Sequence, residues 1–268
     1  MTTGKGPIVT AYGNRKGGVG KTSTVLGVAA MLAAAGKKIL VVDLDAQSDA
    51  TRTLGVSDVA DDQLDIFDVL YAGESGTLDQ AIVPTTWQNV WAVPGSKQLS
   101  RIESESMMTP EFRLSTAADG VDLDMYDHVL VDLPPNIGRL TLNGLIFAHQ
   151  VYVLTEAGVS SSFGVQEFME TIEVVQKSRH LNAHLAIGGI ILNAVGNPPT
   201  DDDRYWMSQL RSIHGPLVVD PVLHRRTAVK DAAARGVPIH EIRTAGGEAM
   251  AKAYDRLAKH ITTKGDRS

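Results

Sequence analysis

The sequence contains no cysteine. Disulfides, cysteine-ligated zinc and cysteine-held iron–sulfur clusters are therefore excluded. No apolar run approaches the roughly 18–20 residues that span a bilayer. The opening MTTGKGPIVT also lacks the hydrophobic centre of a secretion signal. These absences point to a soluble, cytoplasmic protein. Positive charge is scarce as well: the net charge of −6 argues against nucleic-acid binding spread over the whole surface. The charge is unevenly placed, however. From Arg204 onward twelve basic residues stand against six acidic ones, whereas the remainder has thirteen against twenty-five. Either a basic face or ordinary solvated helix surface accounts for that asymmetry. What is present is enough for a core: 268 residues, 43% hydrophobic, fit one large α/β domain over 1–268 without repeat or linker.

The chain is organised around residues 8–24, IVTAYGNRKGGVGKTST. An apolar run leads into a glycine-rich turn, and from Lys21 the residues favour helix. Gly17, Gly18 and Gly20 let consecutive N–H groups point inward as a nest for phosphate oxygens, with Val19 between them. The helix N-terminus adds its positive end. Lys21 can reach terminal phosphates, the Thr22 hydroxyl can ligate magnesium, and Ser23 continues the phosphate-facing turn. The strict pattern G-x-x-x-x-G-K-[ST] is not met, because the place of its first glycine is taken by Arg15. An extra lysine, Lys16, stands there instead.

The run KGGVGKTS resembles the deviant Walker A motif of the ParA/MinD group of P-loop ATPases. The resemblance implies ATP and magnesium as ligands, and an ATP sandwich homodimer in which Lys16 reaches the partner's nucleotide. The nitrogenase iron protein shares this loop, but its cluster needs the cysteines this chain lacks.

Further along, helix is expected over 25–36, and the apolar run Ile39–Val42 reads as a strand of a parallel sheet buried on both faces. It ends in Asp43-Leu44-Asp45-Ala46-Gln47, where α/β sheets bind ligands. By resemblance Asp45 matches the acid that positions the attacking water and Asp43 an acid near the magnesium shell. A helix is expected around Ile66–Leu70 and a short strand over Val90–Val93. The acidic stretch Asp58–Asp65 reads as a solvated loop. His128–Val131 followed by Asp132 is a Walker B pattern, whose carboxylate would hold a magnesium-bound water. The following Asn136–Asn143 resembles the family's dimer-facing switch segment.

Val151–Leu154 reads as another buried strand. No nucleophile elbow surrounds Ser160–Ser162, which are read as capping the helix that carries Val165, Phe168 and Ile172. Asn193, at the end of the strand from Ile187, is either an adenine contact or a turn residue. A helix over 201–213, a strand at Leu217–Val219 and a closing helix to Ile261 complete the pattern. Strands alternating with helices give a three-layer, doubly wound, mostly parallel sheet with helices on both faces.

By matching segment, Arg225, Arg226 and Lys230 are candidates for DNA contact. With about seven residues before the first strand, no N-terminal helix-turn-helix is expected. The resemblance thus implies a ParA/Soj-type ATPase. It would dimerise with ATP, bind DNA without sequence preference on the nucleoid, and segregate plasmid or chromosome cargo with a ParB-like activator. A MinD-like membrane regulator is the alternative, but the tail Thr262–Ser268 offers no apolar anchor, so no membrane partner is expected. A metabolic enzyme on the same loop is a third reading, though no residues demand a small-substrate pocket.

Overall fold

The β-branched and aliphatic runs that punctuate the chain become the strands of one sheet. The computed structural model describes residues 6–56 and 63–265. The strands are β1 (Ile8–Gly13), β2 (Ile39–Asp43), β3 (Val83–Pro84), β4 (Val90–Val93), β5 (His128–Asp132), β6 (Gln150–Thr155), β7 (Ala186–Leu192) and β8 (Val218–Val219). Their order is β3-β4-β2-β5-β1-β6-β7-β8, with β3 antiparallel to β4 and every other pairing parallel. β2, β5 and β6 are buried at every position. Helices therefore cover both faces, as continuous apolar strands require.

Alternate side chains divide between two cores. Leu40, Val42, Val129 and Val131 point to one, with α3 (Ile66–Ala72), α5 (Arg113–Ala118), α6 (Arg139–Phe147) and α7 (Val159–Lys177). Ile39, Val41 and Leu130 point to the other, with α1 (Lys21–Ala34), α9 (Thr227–Arg235) and α10 (Ala245–Gly265). Short α2 (Asp49–Thr53) and α4 (Leu99–Ile102) follow β2 and β4, and α8 (Asp201–His214) lies between β7 and β8. β1 sits centrally, with β5 on one side and β6 on the other. Connections leave it in both directions, so the crevice for a ligand opens at its carboxyl end.

Several local expectations change. Gly158, not a serine, is the N-cap of α7, and Ser160–Ser162 fall inside its first turn. Asp58, Asp61 and Asp62 lie outside the described residues, whereas Asp65 is no loop acid: its carboxylate accepts from Phe67 N (2.7 Å) and Asp68 N (3.2 Å) and caps α3. The cap of α8 is Thr200, in a reciprocal box with Asp203. Leu217 belongs to a 3₁₀ turn, leaving a two-residue β8. Finally, α10 continues through Thr262 to Gly265, so most of the expected tail is helix.

Candidate nucleotide site

β1 delivers the loop to the crevice, and Asn14 starts its turn. Asn14 is fully buried. Its Nδ2 donates to Leu154 O on β6, and its Oδ1 accepts from Lys16 N at 3.0 Å. Arg15 pairs with Glu167 of α7. Gly18 and Gly20 lie in the left-handed region, φ 75° and 82°. At Gly20 a Cβ would stand 2.0 Å from Asn193 Nδ2, so no side chain fits. α1 then begins at Lys21 with no side-chain cap and no acid in its first turn. Its first N–H groups and dipole are thus left facing the loop, the arrangement that binds phosphate.

Asn193 is spent largely on this loop. Its Nδ2 donates to Val19 O (2.9 Å) and Gly20 O (3.4 Å), and its Oδ1 accepts from Ala194 N (2.8 Å). The geometry favours a bracing role over reading the base. Asn193→Ala is expected to cost about 1–2 kcal/mol of stability and to weaken ADP binding. Chemical denaturation with ADP titration checks it. A shifted ATP-over-GTP preference with unchanged stability would instead assign Asn193 to the base.

Parallel register sets Asp132 level with Tyr12 on one side and Asp43 on the other. The two aspartates differ in what they hold. Asp43 Oδ2 accepts from Thr51 N (2.9 Å) and Thr51 Oγ1 (2.7 Å), and Oδ1 accepts from Asp45 N (3.1 Å). Burial raises its pKa to about 6, against the opposing pull of those bonds. Asp43 thus brackets the segment between β2 and α2, with each of its oxygens accepting from N–H or hydroxyl groups of Asp45 and Thr51.

Asp132 is 1% exposed, and neither carboxylate oxygen has a partner at bonding distance. Burial first, and Asp43 next, push its pKa well up; the nearby Thr22 hydroxyl and Lys21 pull the other way. An orphaned buried carboxylate beside Thr22 fits a divalent cation. Among the described residues no group of three or more His, Asp or Glu could hold a metal alone. A cation here would therefore complete its shell with phosphate and water oxygens, as magnesium does.

Lys21 is 6% exposed and its Nζ donates back to Lys16 O at 3.4 Å. Burial lowers its pKa, opposed by Asp132 and Asp45. Asp45 is half-buried at the mouth, with Oδ1 accepting from Gln47 N at 2.9 Å. Lys16 Nζ reaches Glu156 Oε2 at 3.2 Å.

The DNA candidates separate. Arg225 and Lys230 are exposed, but Arg226 is half-buried. Its guanidinium donates to the side-chain oxygen of Asn197 in the amide orientation that satisfies both groups. Arg226 therefore ties its segment to the loop carrying Asn197. A cavity of about 630 Å³ opens beside Thr22 and Ser23, between α1, α2 and α9.

Sequence reasoning missed four polar residues. Asn14 and Thr51 carry no motif beyond their position next to one. Glu103 accepts from Arg139 N (2.8 Å) and Leu140 N (3.2 Å), capping α6 from a distant segment. Glu156 follows a strand end, the one signal that could have drawn notice.

A glycine nest on the central strand, a second lysine before it and an orphaned aspartate on the adjoining strand define a P-loop nucleotide-binding protein of the deviant-lysine class. The comparisons agree. The AAA domain family matches residues 8–187. The chain is 32% identical over 261 residues to the sporulation initiation inhibitor protein Soj of Bacillus subtilis, covering 96% of this chain and 99% of that one. It is 31% identical over 261 residues to the chromosome partitioning protein ParA of Caulobacter vibrioides, covering 96% and 94%. Among solved structures it resembles cobyrinic acid a,c-diamide synthase of Mycobacterium smegmatis, determined with ADP and magnesium. That match has a TM-score of 0.77 and 28% identity, over 96% of each chain. The chain belongs to the Soj/ParA family of AAA-domain proteins.

Proposed function

We propose that this chain is a ParA-type ATPase that uses ATP with magnesium, joins a second copy face to face, and in that state binds DNA without sequence preference to position a cargo. The observation that carries this reading is the pair of lysines. Lys21 folds over its own loop, while Lys16 lies on the outer side, half-buried, beside α7. Next to it the face is apolar: Val159 and Phe163 are exposed on the first turns of α7, and Ile137 is exposed in the segment after β5. That segment touches the loop, with Pro135 3.7 Å from the place of a Cβ on Gly17. A second copy would cover this face and bring Lys16 to the other protomer's phosphates.

In hydrolysis, Lys21 and the loop N–H groups stabilise charge on the phosphoryl oxygens, and Asp45 orients water. Thr22 and Asp132 would hold magnesium, which when bound neutralises phosphate charge. Exposed Arg225 and Lys230 would supply phosphate contacts with DNA, which makes binding salt-dependent.

The test is binding to a random-sequence duplex with ATP, ADP or no nucleotide, at two salt concentrations. Binding only with ATP, collapsing at higher salt, is expected. Binding to anionic vesicles in its place would favour the membrane regulator. Failure of both would favour a small-molecule enzyme, which the likeness to cobyrinic acid a,c-diamide synthase supports. Lys16→Ala is expected to bind ATP but stay monomeric in sedimentation velocity; normal dimerisation would remove the trans contact.

A further inference from the structure

One carboxylate faces both the candidate trans lysine and a candidate DNA arginine. Glu156 Oε2 lies 3.2 Å from Lys16 Nζ, and Glu156 Oε1 lies 4.0 Å from Arg225 Nη2. The Lys16 pair is partly shielded, with side chains 33% and 27% exposed. Its attraction is less screened than that of a surface pair.

The backbone that carries Glu156 and Arg225 is fixed on both sides. Glu156 directly follows Thr155, the last residue of β6, whose Oγ1 donates to Glu156 O at 3.2 Å. Asn193 N donates to Thr155 O at 2.7 Å, fixing the strand end. On the other side, Arg225 N donates to Val195 O at 2.8 Å, and the His224 ring meets Gly196 O at 3.0 Å. Asp203 is a second acid in the surroundings of Arg225. The phosphate loop and the segment before α9 thus converge on Glu156, which neither the phosphate chemistry nor the fold requires.

We propose that Glu156 is a positioning residue that restrains Lys16, and with it the Arg225 segment, in the isolated protomer. It would thereby set the threshold that nucleotide must overcome for two copies to join. The inference rests on the reading that Lys16 acts on the partner's nucleotide. To do so, Lys16 must leave or share its carboxylate, and Glu156 then stands as a negative charge near incoming phosphates. Both effects oppose association. The cost of parting Lys16 from Glu156 is common to all nucleotides, so it keeps the weaker ADP-bound pair dissociated, whereas the additional phosphate of ATP attracts Lys16 more strongly and overcomes it. Release of Arg225 at the same step would free an already exposed side chain from a competing carboxylate, linking dimerisation to phosphate binding.

Sedimentation velocity of the full chain with magnesium and ATP, ADP or no nucleotide tests this. Glu156→Gln is expected to lower the dimer dissociation constant with ATP by roughly three- to tenfold and to give a detectable dimer with ADP. Glu156→Asp, which keeps the charge, should stay close to wild type. A purely structural role would not tighten association, so this gain is the diagnostic readout. If Glu156→Gln melts lower than wild type, Glu156→Ala provides the same comparison. Equal or weaker association in the neutral variants would overturn the proposal. Lys16→Ala separates the two levels. If that variant dimerises like wild type, the trans-lysine reading and this inference fall together. If it stays monomeric while the neutral Glu156 variants gain nothing, only the role of Glu156 falls.

Discussion

Asp132→Asn is expected to make the nucleotide-free protein more stable at pH 8 and to abolish the stabilisation that ADP with magnesium confers. The cause is the lack of any partner for its buried carboxylate oxygens. Burial and the neighbouring Asp43 hold the Asp132 carboxyl well above the ordinary range, so folding favours its protonated form. A carboxyl raised by folding contributes most stability below its unfolded pKa, near 4, and loses it as pH climbs through the folded value. For Asp43, raised to about 6, that window is roughly pH 4–6 and the loss is on the order of 3 kcal/mol. For Asp132 the direction is the same. Without a cation, wild type should therefore melt lower at pH 8 than at pH 5.5. Asp132→Asn should melt higher than wild type at pH 8 and show a flatter pH profile. A bound cation reverses the sign, because its double charge outweighs the burial and the neighbouring Asp43 that favour the protonated form. Thermal melts at both pH values, with ADP and either magnesium or chelator, check this. A variant less stable than wild type at pH 8, or one keeping the magnesium-dependent shift, would show that Asp132 is not the cation's anchor.

The parts of this site legible in the sequence are those where one local element dictates the chemistry. Gly18 and Gly20 were readable because only glycine serves a turn that needs positive φ. The strands ending in Asp43 and Asp132 were readable because continuous apolar runs belong to strands buried on both faces. The alternation of these runs with helices also foretold the doubly wound sheet, with its central β1. What stayed hidden depends on contacts across long stretches of chain. Asp43 and Asp132 look alike as strand-terminal acids. They part company only because Thr51, eight residues past Asp43, supplies a hydroxyl and an N–H to one of them. Arg226 and Arg225 are sequence neighbours of the same type, yet only Arg225 faces out, because the loop carrying Asn197 folds against its neighbour. Asn193 braces a loop 173 residues away. The convergence of Lys16, Glu156 and Arg225 likewise joins three separate segments, which no local periodicity encodes.

The sharpest expected loss of turnover comes from Asp45. Its half-buried position at the mouth, on the same side as Asp132 and Lys21, leaves one carboxylate oxygen available for water while Oδ1 accepts from Gln47 N. That internal bond creates a competing account, in which Asp45 merely shapes the turn before α2. Two substitutions separate the accounts. Asp45→Ala removes charge and turn bond together, whereas Asp45→Asn can keep the bond to Gln47 N while losing the charge. If the carboxylate orients and polarises water, both variants should bind ATP normally. Both should then hydrolyse it on the order of 10²–10³-fold more slowly in single-turnover experiments. Both should also accumulate dimer, because the state that hydrolysis would dissolve persists. If Asp45 only shapes the turn, Asp45→Asn should turn over ATP like wild type and Asp45→Ala alone should melt lower. Undiminished hydrolysis by Asp45→Asn would leave the water without this partner, and the search for it would move to the backbone carbonyls of residues 44–48.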